Sequence, residues 1–265
     1  MKAFDKLEEA IKFCGNYAVK QQSLVTRDYK HDGSVLTEAD MYIDSYLKEV
    51  ITLNFSHSVL ITEESGEVIN NKNQPPEFYF ILDPIDGTDM YSQGAPGWCI
   101  ALGILDKNLI PCGCMIFAPR WGVGTKEGLF FRLDPEGVLL LNQEPFIPKK
   151  QGNCVKQLVM GSNTHKYLDL GKYGGKCRVF GSSIIHLLAP IIHIKIDAAL
   201  CISGYIWDIA AAHSILRYLG LVLVTQDGTD FTYSQSMLDG NPNTDILYAG
   251  SRKQCEYLQN TFNQG

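Results

Sequence analysis

The side chains best placed to do chemistry together sit in one short stretch, 78–89, which reads Phe-Tyr-Phe-Ile-Leu-Asp-Pro-Ile-Asp-Gly-Thr-Asp. Its apolar half, 78–82, has the length and composition of a buried strand. Pro84 has no N–H to offer a ladder, so regular pairing of a central strand is expected to end at Asp83-Pro84. Asp83 and Asp86 flank a Pro-Ile turn, with Gly87 and Thr88 directly behind. Carboxylates at the end of a buried strand are costly unless a cation compensates them. Hard oxygen ligands suit Mg²⁺ or Ca²⁺ better than zinc. Gly87 lets the backbone approach a ligand, and Thr88 supplies a hydroxyl and is expected to start a short helix whose free N–H groups favour an anion. Metal and anion at one strand end point to phosphate chemistry, although the same residues also compose an ordinary tight turn.

Other candidates are dispersed. Thr37 and Asp40 match the S/T-x-x-D/E helix-capping pattern, and a carboxylate at a helix start is also placed to meet a water. Glu63-Glu64 follows a short strand at 58–61, where one carboxylate can bind a metal while its neighbour supports the loop, or both can be solvated. Gly181-Ser182-Ser183 lies between a strand and a helix and fits either a phosphate cradle or an N-cap. Asp208, after Trp207, is expected to cap the helix that opens with three alanines, which permit close packing. Lys30, Asp32 and Ser34 belong to an exposed turn or short hairpin, 27–36.

The elements that position these residues follow from periodicity. Phe4, Leu7, Ile11, Cys14 and Ala18 mark an amphipathic helix over 3–22, and a second helix runs from Thr37 through Ile43, Leu47 and Ile51. Apolar runs at 98–105 and 109–117 around Asp106-Lys107-Asn108 predict a hairpin. Further strands are expected within 122–131 and 138–141, so the first half reads as two helices on a largely antiparallel sheet. The polar stretch 142–153, with two prolines, marks a boundary between halves 1–147 and 148–265. Beyond it strands (158–160, 177–180, 198–201, 221–224, 246–249) alternate with helices. One helix starts at Ile184, which Pro190 should kink or end, and a last one covers 252–262.

Composition limits the function. The chain has 265 residues, 45% of them hydrophobic, and a formal net charge of −6. That balance argues against nucleic acid or an anionic membrane as partner, and implies that a phosphate site would need metal ions rather than a basic field. The eight cysteines are scattered, several in apolar runs, as expected of buried thiols in a reducing compartment. Cys112 and Cys114 lack the second pair a zinc knuckle needs. With no signal-peptide pattern and no apolar run of about 20 residues, a cytoplasmic protein is expected.

Taken in order, Glu63-Glu64, Asp83-Pro84-Ile85-Asp86-Gly87-Thr88 and Trp207-Asp208-Ile209-Ala210 resemble the inositol monophosphatase family of metal-dependent, lithium-sensitive phosphatases. The resemblance extends to Asp32-Gly33-Ser34, Thr37, Asp40 and Gly181-Ser182-Ser183, nearly the whole chain. It implies a layered αβαβα sandwich, with an antiparallel-sheet first half and an α/β second half, and a homodimer. It also implies two or three Mg²⁺ ions, with Ca²⁺ or Li⁺ as inhibitors. Glu63, Asp83, Asp86, Asp208 and the Ile85 carbonyl would be metal ligands. Thr88 and Asp40 would orient a water, with Glu64 in support. Gly87, Thr88, Gly181 and Ser182 would lie near the substrate, together with Glu63, Ile85, Asp86 and Asp208.

The implied reaction is hydrolysis of a small phosphate monoester by direct in-line attack of water, because no Ser, Cys or His is evidently placed to form a covalent intermediate. Inositol monophosphate is the first expectation. Cys201 stands seven residues before Asp208, where inositol-specific relatives tend to carry an acid that meets sugar hydroxyls, and Asp89 stands where Thr or Lys is commoner. Both departures keep 3′,5′-bisphosphate nucleotides and fructose 1,6-bisphosphate open as substrates. A phosphatase-like scaffold without turnover is the non-enzymatic alternative, and the complete ligand set argues against it.

Overall fold

In the computed structural model, residues 2–30, 33–69, 75–122, 128–148 and 155–263 are described. The first amphipathic stretch forms α1 (Ala3–Gln21), burying Leu7, Ile11, Cys14 and Ala18. A small hairpin of β1 (Asp28–Tyr29) and β2 (Val35–Leu36) leads into α2 (Glu38–Asn54), which buries Ile43, Leu47 and Ile51. Both helices lie on one face of an eight-stranded sheet. Its strands are β3 (Ser58–Thr62), β4 (Gly66–Ile69), β5 (Phe78–Asp86), β6 (Cys99–Asp106), β7 (Pro111–Ala118), β8 (Leu129–Leu133), β9 (Leu140–Leu141) and β10 (Glu144–Pro145), in the spatial order β10-β9-β8-β7-β6-β5-β3-β4. A short α3 (Thr88–Ser92) follows β5 directly. Neighbours in this sheet are antiparallel except the parallel pair β3 and β5.

The later residues build a second sheet from β11 (Gln157–Met160), β12 (Lys176–Arg178), β13 (Ala198–Gly204), β14 (Val222–Val224) and β15 (Asn243–Gly250), ordered β12-β11-β13-β15-β14. The strands β12, β11 and β13 run parallel, and β15 is antiparallel to both its neighbours. Interleaved are α4 (Ser183–Ile192), α5 (Ala210–Tyr218), the single turn α6 (Gln235–Leu238) and α7 (Arg252–Asn263).

Three apolar clusters define five layers. Leu60, Phe80, Leu82 and Ile100 pack with α1 and α2. The alternate positions Ile61, Ile81 and Ala101 face the other way, onto α4, α5 and one face of the second sheet. Leu158, Leu200 and Tyr248 point to the remaining face and pack with Leu258 and Phe262 of α7. The period-2 alternation of side chains thus lets each sheet serve two layers, giving αβαβα. The alanine-rich start of α5 lies tight on β6: a Cβ on Gly103 would come within 2.7 Å of Ala210 Cβ.

Two expectations need correction. Pairing on β5 does not simply stop at Pro84. The β3 side ends at Thr62–Leu82, while the β6 side runs to Asp83–Ala101, shifts register, and resumes at Asp86–Cys99. Proline removes one donor only, so the strand bulges rather than breaks. In α4, Pro190 is accommodated and the helix continues to Ile192, with the N–H of His193 still donating to Ala189 at 2.9 Å. The strands β4 and β10 and the turn α6 had no sequence expectation.

Candidate active site

The bulge in β5 sets the site. Asp83 has the parity of Ile81, so it faces the layer where α5 begins, and Asp86 follows one register shift later. Asp208 closes a 3₁₀ turn, Ile206–Asp208, ahead of α5. The carboxylates of Asp83, Asp86 and Asp208 offer oxygens within 4.8 Å of one another. Asp83 Oδ1 is sealed from solvent and has no hydrogen-bond partner. Burial, then the charges of Glu63, Asp86 and Asp208, lift the Asp83 carboxyl well above the usual carboxylate range. Burial, then Asp86 and Glu63, push Asp208 up to about 8. Burial also raises Asp86 to about 6 against the pull of its hydrogen bonds. Negative charge concentrated out of water in this way is the environment a hard divalent cation relieves.

Asp86 is also anchored to the second half of the chain. Its carboxylate accepts from the Ser182 hydroxyl, from the N–H of Ser183 at 3.1 Å and from the N–H of Ile184 at 2.6 Å. Ser182 Oγ in turn accepts from the N–H of Ile185 at 3.0 Å, so it caps α4. The N–H groups of Phe180 and Gly181 donate to His186 Nε2 at 2.8 and 3.3 Å. Burial pulls His186 down to about 4, which keeps that ring neutral and able to accept. Donors of the expected phosphate cradle, Gly181-Ser182-Ser183, are therefore engaged inside the protein, the Ser182 hydroxyl and the Ser183 N–H by Asp86 and the Gly181 N–H by His186. Gly87, at φ +94°, takes the left-handed conformation that starts α3, and a Cβ there would meet the Gly97 carbonyl oxygen at 2.7 Å.

Thr88, Asp40 and Ile85 come together as well. Thr88 Oγ1 lies 3.2 Å from Asp40 Oδ1 and 2.8 Å from the carbonyl of Ile85. The other oxygen of Asp40 accepts from the hydroxyl of Thr37 and, at 3.0 Å, from its N–H, so the capping box and the site share one carboxylate. Burial raises Asp40 to about 6.

Glu63 and Glu64 flank this group without joining the triad. Lys30 Nζ bridges them, 2.7 Å from an oxygen of each. Burial, then the Glu63 charge, push Glu64 up to about 7. For Lys30, burial acts downward, but the two glutamates outweigh it and raise its pKa. Lys30 is thus a site residue rather than part of a solvated loop. Asp32, from the same loop, lies outside the described residues.

Asp208 does not cap α5 with its side chain. Its carboxylate turns back to accept the N–H of Tyr205 at 2.8 Å, and Trp207 stacks on Tyr205 with ring centres 4.7 Å apart. Sequence reasoning missed Cys99, whose thiol lies 3.6 Å from Ser182 Oγ and 3.9 Å from Asp86. Its place opposite Asp86 depends on a shifted strand register that no local sequence pattern gives.

Comparison with known proteins decides the lineage, since the model of the inositol monophosphatase family matches residues 2–257. The chain belongs to the inositol monophosphatase family. It is a phosphatase of that family, a phosphoric monoester hydrolase. An inositol monophosphatase of Dictyostelium discoideum is 22% identical over 247 residues, 89% of each chain. The 3′(2′),5′-bisphosphate nucleotidase CysQ of Buchnera aphidicola is 24% identical over 249 residues, again 89% of each. The solved structure of an IMPase/NADP phosphatase complexed with NADP and Ca²⁺ superposes with a TM-score of 0.78 at 17% identity, covering 99% of this chain and 95% of that one. The superposition shows a shared fold, and the three proteins are named for different phosphate esters.

Among the described residues Cys14, Cys99, Cys114, Cys201 and Cys255 are buried free thiols, while Cys177 is exposed. No helix among them is long and apolar enough to cross a membrane.

Proposed function

We propose that this phosphatase hydrolyses a small phosphate monoester with the help of Mg²⁺, inositol monophosphate being the first candidate. The observation that carries the reading is the buried triad of Asp83, Asp86 and Asp208, with an Asp83 oxygen sealed and unpartnered. In this reading the half 1–147 supplies Glu63, Asp83, Asp86 and the Ile85 carbonyl, and the half 148–265 supplies Asp208. These would hold two or three Mg²⁺ ions. When bound, the ions supply positive charge that neutralises the phosphate oxygens, acidifies a water and steadies the departing alkoxide.

The remaining work falls to the chain. The single Thr88 hydroxyl proton can reach the Ile85 carbonyl at 2.8 Å or Asp40 at 3.2 Å; turned to Asp40, the hydroxyl accepts from a water, so a proton leaving that water can pass through Thr88 to Asp40. Asp40, raised to about 6, is near the value a base needs at neutral pH. Thr37 holds the far side of Asp40 and Glu64 steadies Glu63 through Lys30. Gly87, Gly181 and Ser182 would lie near the ester, Ser182 acting through Asp86 rather than by direct contact.

One observation favours a second reading. The cavity beside the site, about 330 Å³, is bordered by Ser162, Asn163, Thr164, Ser183, His186 and Ile202, and no carboxylate lines it. Cys201, buried at the position where an acid would meet sugar hydroxyls, cannot accept as a carboxylate does. That supports a bisphosphate nucleotide over a polyol, with fructose 1,6-bisphosphate as a further option. The test is phosphate release by metal-stripped protein, with and without added Mg²⁺, from inositol 1-phosphate, fructose 1,6-bisphosphate and adenosine 3′,5′-bisphosphate. Mg²⁺-dependent release from one of them is expected. Release from none of the three, or release indifferent to Mg²⁺, would overturn this reading. The same reading takes the molecule as a homodimer acting on small molecules, with neither nucleic acid nor membrane as partner, checked by light scattering.

A further inference from the structure

A second cavity, about 350 Å³, opens at the far end of α5 from Asp208, between the β6–β7 turn and the segment 230–233. Its walls mix polar groups with an apolar side formed by Leu109, Leu221 and Phe231, and its volume is in the range of small-molecule sites, about 300–1,000 Å³. Two polar side chains of α5 face it, His213 and Arg217, four residues apart and so on one face of the helix.

Their states differ. His213 is 9% exposed, and its Nδ1 lies 3.0 Å from the hydroxyl of buried Tyr233. No described residue reaches its Nε2. Burial, then the charge of Arg217, pull the imidazole down to about 4, so the ring is neutral and Nε2 is left with one hydrogen bond to make. A polar atom that no described residue satisfies, at the wall of a cavity, is placed to meet water or a ligand. Arg217, at the mouth, has no ion pair among the described residues, whereas the carboxylate at the rim, Asp230, is held by Arg252 at 2.6 Å. The cavity therefore presents one uncompensated cation, one free imidazole nitrogen and an apolar wall containing the ring of Phe231.

We propose that this cavity binds a small organic anion with a planar apolar body, its acid group on Arg217, its ring against Leu109 and Phe231, and one hydrogen bond to His213 Nε2. Carboxylates and phosphonates share that chemistry. An occupant here does not compete for the acidic triad, because α5 separates the two sites.

The test uses the full chain in EDTA, where the uncompensated triad repels anions. Benzoate and phenylphosphonate are titrated by saturation-transfer NMR against wild type, Arg217→Ala and Asp83→Asn. The expected result is saturable binding of at least one probe, weakened by about tenfold in Arg217→Ala, the loss of one charged hydrogen bond, and unchanged in Asp83→Asn. Preference for benzoate or for phenylphosphonate identifies the acid group. Absence of binding by both probes, binding indifferent to Arg217→Ala, or binding lost in Asp83→Asn would overturn the proposal.

Discussion

The N–H of Ile184 donates to Oδ2 of Asp86 across 2.6 Å, although the two residues are 98 positions apart in the chain. The first turn of α4 thus rests on a carboxylate that also belongs to the acidic triad, and one residue ties the first sheet to α4 while facing the proposed ions. Asp86→Asn is therefore expected to act twice. Its amide nitrogen cannot accept from Ser182 or from the helix start, so melting temperature should fall as well as Mg²⁺-dependent turnover. Ser182→Ala removes only the cap and one donor, worth about 1 kcal/mol, or roughly 2–4 °C in a chain of this size. Calorimetry on the two variants separates the roles. An Asp86→Asn protein melting like wild type would show that its contact with α4 contributes little.

Thr88 stands between Asp40 and the Ile85 carbonyl. If it hands a water's proton to Asp40, Thr88→Ala should lower kcat by about 10²–10⁴-fold, the usual scale of positioned proton transfer. The Mg²⁺ concentration for half-maximal rate should move far less, and Thr88→Ser should restore most of the rate because it returns the hydroxyl. Metal and substrate titrations of the three proteins decide it. A variant whose metal requirement rises while kcat holds would make Thr88 a binding residue instead.

Lys30 sits 2.7 Å from both Glu63 and Glu64 and competes by charge with any ion that Glu63 would hold. Replacing it with Met frees Glu63 and makes the cluster more negative. Lys30→Met is expected to lower the Mg²⁺ concentration for half-maximal turnover by a few-fold, on the order of a partly exposed ion pair, and to lower the melting temperature without metal. An unchanged or higher Mg²⁺ requirement would remove Lys30 from that role.

Why some of this could be read from residues alone, and some not, follows from the range of the interactions. Asp83, Asp86 and Thr88 were legible because a buried apolar run ending in Asp-Pro has few inexpensive explanations. The α1 and α2 helices were legible from three-to-four spacing, and Thr37 with Asp40 from a local capping pattern. Lys30 was not, since a lysine in a polar turn looks solvated until the fold supplies Glu63 and Glu64. The grip of Asp86 on α4 depends on a contact with no local periodicity. By its local sequence Asp208 looked like an ordinary cap, and only the family resemblance singled it out as a ligand; the 3₁₀ turn that sends its carboxylate back to Tyr205 has no local signature. At Pro190 the helix runs two residues further than an immediate end would allow, within a stretch 184–192 that is wholly buried.

The charge in the triad also fixes a pH response. Asp208 is raised to about 8, far above its ordinary range, so the folded chain holds that proton more tightly than the unfolded one. The stability this proton brings is present in full at low pH and is lost as pH rises through about 8. His186 and His213, both pulled down to about 4, have the opposite sign, losing stability as pH falls below their ordinary value near 6.5. Between about pH 6.5 and 8.5 the carboxylate dominates. In EDTA the melting temperature should therefore fall across that window. Asp208→Asn should make the slope shallower, leaving the part due to Asp83, and saturating Mg²⁺ should reverse it by replacing the proton with a cation. Thermal melts at four or five pH values, with EDTA and with Mg²⁺, measure all three slopes. An Asp208→Asn protein with the wild-type slope in EDTA would show that the titrating charge lies elsewhere.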